Sequence, residues 1–172
     1  QAFDASVFVC QREVDVFRRL YPEARNLHVI ENGINTQFFL DAEIQTEGHL
    51  FPKKGPVLLF VGVMDYFANE DAVVWFSDLI FPKIRRRFPE AEFLIVGNNP
   101  TDRVWALTET AGVSVTGFVE DIRPYYAHAD VCVIPLRIAR GLQNKVLEAM
   151  LMGKGVVATS NAADGIHCRH GH

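Results

Sequence analysis

The residues best placed to do chemistry are Gly141, Asn144, Lys145 and Glu148, spaced i, i+3, i+4 and i+7 in a segment otherwise rich in Leu, Val, Ala and Met. On a helix that spacing gathers all four on one stripe. A helix that is apolar elsewhere and polar along one line presents that line to something. Its N-terminus offers free N–H groups and the positive end of the helix dipole, a site for phosphate. Arg137 and Arg140 come just before it and add the charge that a pyrophosphate attracts. Glu148, two turns deeper, can accept hydrogen bonds from a ribose diol. The same residues also suit a plainer account, a solvated face on which Lys145 and Glu148 form an ordinary i, i+3 pair.

Two further segments have the look of a ligand site. Val61 runs into Gly62-Val63-Met64-Asp65-Tyr66, and Val96 runs into Gly97-Asn98-Asn99-Pro100. Glycine at a strand exit lets backbone approach a ligand closely. Ordinary turn chemistry explains either glycine taken alone.

The elements that must position these groups alternate. Short β-rich runs fall at 7–10, 27–30, 57–61, 92–96, 113–116, 131–134 and 155–159, with helical patterns at 11–20, 69–88, 102–111, 121–128 and 141–152. Apolar runs such as Val57-Leu58-Leu59-Phe60-Val61 suit strands covered on both faces. The alternation predicts an α/β fold with a doubly wound parallel sheet, where ligands bind beyond the carboxyl ends of the strands. Over 69–88, Asn69 reads as the helix cap, with Glu70 and Asp71 at the positive dipole end. Ala72, Phe76, Ile80 and Ile84 form its apolar stripe, and Pro82 predicts a kink or a break. Residues 41–55 have little periodicity and read as a linker. The chain is therefore divided into 1–40, the linker 41–55, and a main unit over 56–172.

Composition narrows the function classes. With 49% hydrophobic residues in 172, the chain can bury one real core. A formal net charge of -4 gives no electrostatic reason to expect nucleic acid. Three widely spaced cysteines do not make a disulfide framework and fit a reduced, cytoplasmic setting. No apolar stretch approaches the roughly 18 residues of a membrane span, and the N-terminus lacks a signal-peptide layout. Lys83-Ile84-Arg85-Arg86-Arg87 can touch anionic lipid at a membrane surface, but four charges in one turn are modest for a membrane patch and a solvated helix face is the favoured reading. Trp75 and Trp105 read as packing residues. The tail His167-Cys168-Arg169-His170-Gly171-His172 has metal-ligand residue types, but its spacing fits no structural zinc pattern, and no metal site is assigned.

The run from Arg140 to Thr159, of the form LEAM-x-x-G-x-x-VVAT, resembles the signature helix of the retaining, two-lobed (GT-B) glycosyltransferases of group 1, which use nucleotide-sugar donors. Val29-Ile30-Glu31-Asn32-Gly33-Ile34-Asn35 resembles the segment that closes the family's N-terminal lobe. Gly117-Phe118-Val119 with Asp121 resembles the loop that frames the donor base. Phe60 to Tyr66, Asn69 to Ala72, Ile122 to Tyr125 and Pro135 to Ile138 resemble a subgroup tied to exopolysaccharide assembly. The resemblance implies an incomplete Rossmann-like C-terminal lobe cut from a longer enzyme, preceded by the end of an N-terminal lobe. It implies that Glu148 is the second acid of a Glu-x7-Glu motif and holds the donor ribose. Arg140, Lys145 and Glu148 become the candidate catalytic set. Gly62, Asp65, Gly97, Val119, Arg137, Gly141 and Asn144 join Lys145 and Glu148 in binding the donor.

Two departures qualify this. Arg140 stands where the family has its first Glu. Val63 follows Gly62 where many members carry Arg, and no Lys or Arg follows before Ala72. The charge for the diphosphate is then expected from Arg137, Arg140 and Lys145. The activity implied is transfer of a sugar, with retention, from a UDP- or GDP-linked donor to a glycan or lipid-linked acceptor in polysaccharide biosynthesis. No Asp-x-Asp occurs, so no metal or cofactor beyond the donor is expected. The setting implied is cytoplasmic, with peripheral contact at the inner membrane face. Self-association through an open sheet edge is expected of an incomplete lobe. An epimerase of the same fold, or a non-catalytic donor-binding scaffold favoured by Arg140, are the alternatives. A nicotinamide-binding domain is disfavoured because no G-x-G-x-x-G follows a strand.

Overall fold

The computed structural model describes residues 3–40, 53–139 and 141–166. In the first stretch, β1 (Ser6–Phe8) and β2 (Leu27–Val29) pair in parallel, joined by α1 (Gln11–Leu20). A short α2 (Thr36–Leu40) follows. The second and third stretches together build a separate sheet from β3 (Val57–Val61), β4 (Glu92–Val96), β5 (Val113–Val115), β6 (Val131–Ile134) and β7 (Gly155–Ala158). Its order is β5-β4-β3-β6-β7 and every pairing is parallel. The chain winds outward from β3 to β5, then returns across the middle to β6 and β7. That reversal, between β3 and β6, leaves a crevice at the carboxyl ends of the strands. The doubly wound α/β sheet expected from the alternation is what forms.

Each central strand feeds both faces, because successive side chains point opposite ways. Leu58 and Phe60 join one core with Phe76, Phe81 and Phe93. Val57 and Leu59 join the other with Leu94, Val96 and Tyr126. The strand at one edge is less covered, and Val157 on β7 is 62% exposed.

The helices are α3 (Phe67–Trp75), a π-helical turn (Phe76–Ile80), α4 (Phe81–Arg87), α5 (Asp102–Trp105) with a 3-10 turn (Ala106–Glu109), α6 (Arg123–His128), α7 (Asn144–Leu151) and α8 (Ser160–Ala163). Three differ from the sequence expectation. First, α3 opens at Phe67 with Tyr66 before it, so Asn69 is not its cap; the side chain is buried inside the first turns. Second, the kink or division into two shorter helices expected at Pro82 takes the form of a π-helical turn between α3 and α4. The Phe81 N–H donates to Phe76 O five residues back, just before a proline that has no N–H to give. Phe81 thereby enters the core beside Phe76, with ring centroids 6.4 Å apart and both rings against Phe93, while the stripe residues Ile80 and Ile84 pack against the same cluster partly buried. Third, α7 begins at Asn144, not at Gly141. The tail 167–172 and most of the linker expected at 41–55 lie outside the described residues.

Candidate functional site

A cleft of about 450 Å³ opens at the switch point. Its floor is the exit of β3 and β4, one wall is α7, and the other is the loop carrying Phe118, Val119 and Ile122. Gly62, Gly97, Val119, Asn144, Lys145 and Glu148 all line it. The floor needs its glycines. Gly97 has φ +145, and a Cβ there would stand 1.7 Å from the Gly62 carbonyl oxygen. A Cβ on Gly62 would stand 2.9 Å from Asn69 Nδ2 and 3.0 Å from Lys145 Nζ. Any larger residue at either position would displace the groups that face the cleft.

Lys145 reaches down from α7 to this floor. Its Nζ donates to Asn69 Oδ1 at 2.7 Å and lies 4.2 Å from the centroid of the Phe60 ring. Burial pulls its ammonium down to about 7, with Glu148 pulling the other way. Asn69 in turn donates through Nδ2 to Val63 O at 2.9 Å. One turn along α7, Glu148 accepts from the Tyr126 hydroxyl at 2.9 Å through Oε2. Tyr126 is 1% exposed, and burial, then Glu148, raise its phenol far above the usual range, so it stays a donor. A carboxylate held from behind and a cation held from below therefore share one face of α7.

Not every candidate reaches the cleft. Arg137 donates through Nε to Asp71 Oδ2 at 2.9 Å, pairs a second nitrogen with the other carboxylate oxygen, and lies 5.4 Å from the Trp75 ring. Its charge is committed to α3. Asp65 accepts from Asn99 Nδ2 at 3.0 Å and ties the two exit loops together outside the cleft lining. Gly141 lies upstream of α7 with φ +66 and borders a different hollow, of about 630 Å³, against α1. The four-residue stripe thus becomes three, Asn144, Lys145 and Glu148. Arg140 lies outside the described residues. Among the described residues, no group of three or more His, Cys, Asp or Glu is placed to hold a metal ion, and no helix is long and apolar enough to cross a membrane.

The residues that hold Lys145 and Glu148 escaped the sequence reading. Asn69 was legible only as a cap, because its partners Val63 and Lys145 are brought together by the fold. Tyr126 sits 22 residues from Glu148 with no spacing signal to connect them.

Residues 55–171 match the model of the family described as Glycosyl transferases group 1. The chain is 32% identical over 154 residues to a phosphatidyl-myo-inositol mannosyltransferase of Mycolicibacterium smegmatis, covering 84% of this chain and 38% of that protein. Among solved structures, a glycosyltransferase from Rickettsia africae ESF-5 aligns with a TM-score of 0.73 at 18% identity, covering 95% of this chain and 47% of that one. Anabaena Alr3699/HepE, solved in complex with UDP and glucose, aligns with a TM-score of 0.67 at 18% identity, covering 92% and 45%. The chain spans less than half the length of each of these relatives.

Proposed function

Because the chain belongs to the glycosyl transferases group 1 family, we propose that its cleft holds the nucleotide diphosphate of an activated sugar, and that the whole protein transfers the sugar to a glycan or lipid-linked acceptor. The observation that carries this reading is the placement of Lys145 and Glu148 on one face of α7, over a floor that only glycine can form, at the switch point of the sheet. In this reading the Lys145 ammonium and the first turn of α7 face the diphosphate. As the sugar leaves, negative charge grows on the departing phosphate, and a cation already in place stabilises it without reorganising. Glu148, held by Tyr126, accepts from the ribose hydroxyls. The base lies toward Phe118 and Val119 at the mouth. The HepE structure with UDP supports a nucleotide of this kind. Transfer with retention, without a metal, in polysaccharide assembly at the inner face of a membrane completes the reading.

Calorimetric titration of the chain with UDP and with GDP tests it. Saturable binding of one of them is expected, weakened about 10- to 100-fold by Glu148→Ala, the range set by hydrogen bonds to a charged group. Arg137→Ala, whose charge serves Asp71, leaves the affinity within about twofold. A folded chain that binds neither nucleotide refutes the donor site.

A further inference from the structure

Asn69 is 7% exposed and uses both ends of its carboxamide. Val63 O can only accept, so the amide nitrogen must face it and the amide oxygen must face Lys145. Val63 is itself fixed, because the next residue, Met64, donates its N–H to Asn98 O at 2.9 Å in the neighbouring exit loop. The Lys145 ammonium is therefore aimed from the backbone of the cleft floor. What surrounds it is neutral. β3 presents Phe60, the loop after it Gly62, and α3 Asn69. The charged group acting on Lys145 is Glu148, on its own helix. Among the described residues, no ion pair involves Lys145.

We propose that Asn69 is a positioning residue that holds the Lys145 ammonium over Gly62 without neutralising it, leaving a nucleoside diphosphate to bring the missing negative charge. The proposal rests on the reading of the cleft as a donor site. It separates two tasks that a carboxylate at position 69 would merge, aiming the cation and satisfying it. With Lys145 drawn down to about 7, only about one amine in ten is protonated at pH 8 before the ligand arrives. Binding that requires the ammonium then draws a proton from solution. The apparent affinity weakens about tenfold between pH 6 and pH 8, by the fraction of competent protein.

The test has a ligand-free arm, run on the chain and Asn69→Asp, and a ligand arm, run on the chain, Asn69→Asp and Lys145→Arg, with folding checked by thermal denaturation. In the first, the rate of Lys145 acetylation is followed against pH by mass spectrometry, on the chain and Asn69→Asp. The midpoint lies near 7 in the chain and moves upward by about one to three pH units in Asn69→Asp, which places an opposite charge beside the amine. In the second, UDP and GDP are titrated at pH 8 in buffers of low and high ionisation enthalpy. The chain takes up close to one proton per bound nucleotide. Asn69→Asp and Lys145→Arg, whose cations are already protonated, take up almost none. A folded Asn69→Asp with an unchanged acetylation midpoint overturns the role of Asn69. Proton uptake that persists in Lys145→Arg overturns it as well, because another group is then titrating. Absence of nucleotide binding with the expected acetylation shift overturns the diphosphate as ligand, while leaving Asn69 in control of Lys145.

Discussion

Holding a partly buried ammonium ready for a ligand should weaken the protein that holds it, and Lys145→Met measures by how much. The lysine titrates at 10.5 when unfolded and at about 7 in place. Between those values the unfolded chain binds more protons than the folded one, so this group makes stability rise with pH. The penalty is complete below pH 7 and gone above about 10.5. The gap, 10.5 less 7 or 3.5 pH units, sets a ceiling of about 5 kcal/mol at 1.36 kcal/mol per unit. The linkage relation leaves about 4 kcal/mol at pH 7 and about 2 kcal/mol at pH 9. Methionine keeps the unbranched stem and removes the proton. The difference in unfolding free energy between Lys145→Met and the parent chain should therefore shrink by about 2 kcal/mol from pH 7 to pH 9. Urea unfolding at pH 7, 8 and 9, followed by tryptophan fluorescence with matched m-values, reads it directly. Every other titrating group is common to both proteins and cancels. A difference that stays flat across the range would refute the claim that partial burial draws the Lys145 ammonium down.

Two further predictions concern its neighbours. Tyr126→Phe keeps the ring against Phe39 and removes the hydroxyl that holds Glu148. A loss of about 1 kcal/mol is expected, seen as roughly fivefold weaker nucleotide binding by calorimetry and a melting temperature lower by about 2–4 °C; unchanged affinity would mean that Glu148 needs no support. Gly97→Ala forces a methyl group into the Gly62 carbonyl. A destabilisation of about 3 kcal/mol or more should follow, and circular dichroism melting at the parent temperature would show that the two exit loops are not packed as described.

The central strands were legible because their apolar runs are unbroken, and the observed β3, β4 and β6 span the expected residues. So was the general place of the site, since parallel topology sends ligands to the strand exits. What the sequence left out is what folding decides. The i, i+3, i+4, i+7 spacing put Gly141 on the helix, yet at φ +66 it belongs to the preceding loop, three residues before α7 begins. Arg137 looked available because Asp71, which takes its charge, lies 66 residues away. Asn69 has the residue type of a cap, but the two residues before it, Phe67 and Ala68, already belong to α3, so its amide was free to turn inward.

The widened turn at Phe76–Ile80 also governs how this helix can vary in length. Ala68, Ala72 and Phe76 succeed one another at intervals of four, and Phe81 arrives five later, all of them buried. On an unbroken α-helix at 3.6 residues per turn, a residue five on points well over a third of a turn away. The π turn swallows that surplus residue and keeps both aromatic rings on β4. A relative with one residue fewer between 76 and 80 would present the same side chains from a regular helix. A deletion anywhere else in α3 or α4 would rotate half of the apolar side off the sheet. Loss of one residue is therefore tolerated at one address in this helix and rotates buried side chains off the sheet elsewhere in its core-facing turns.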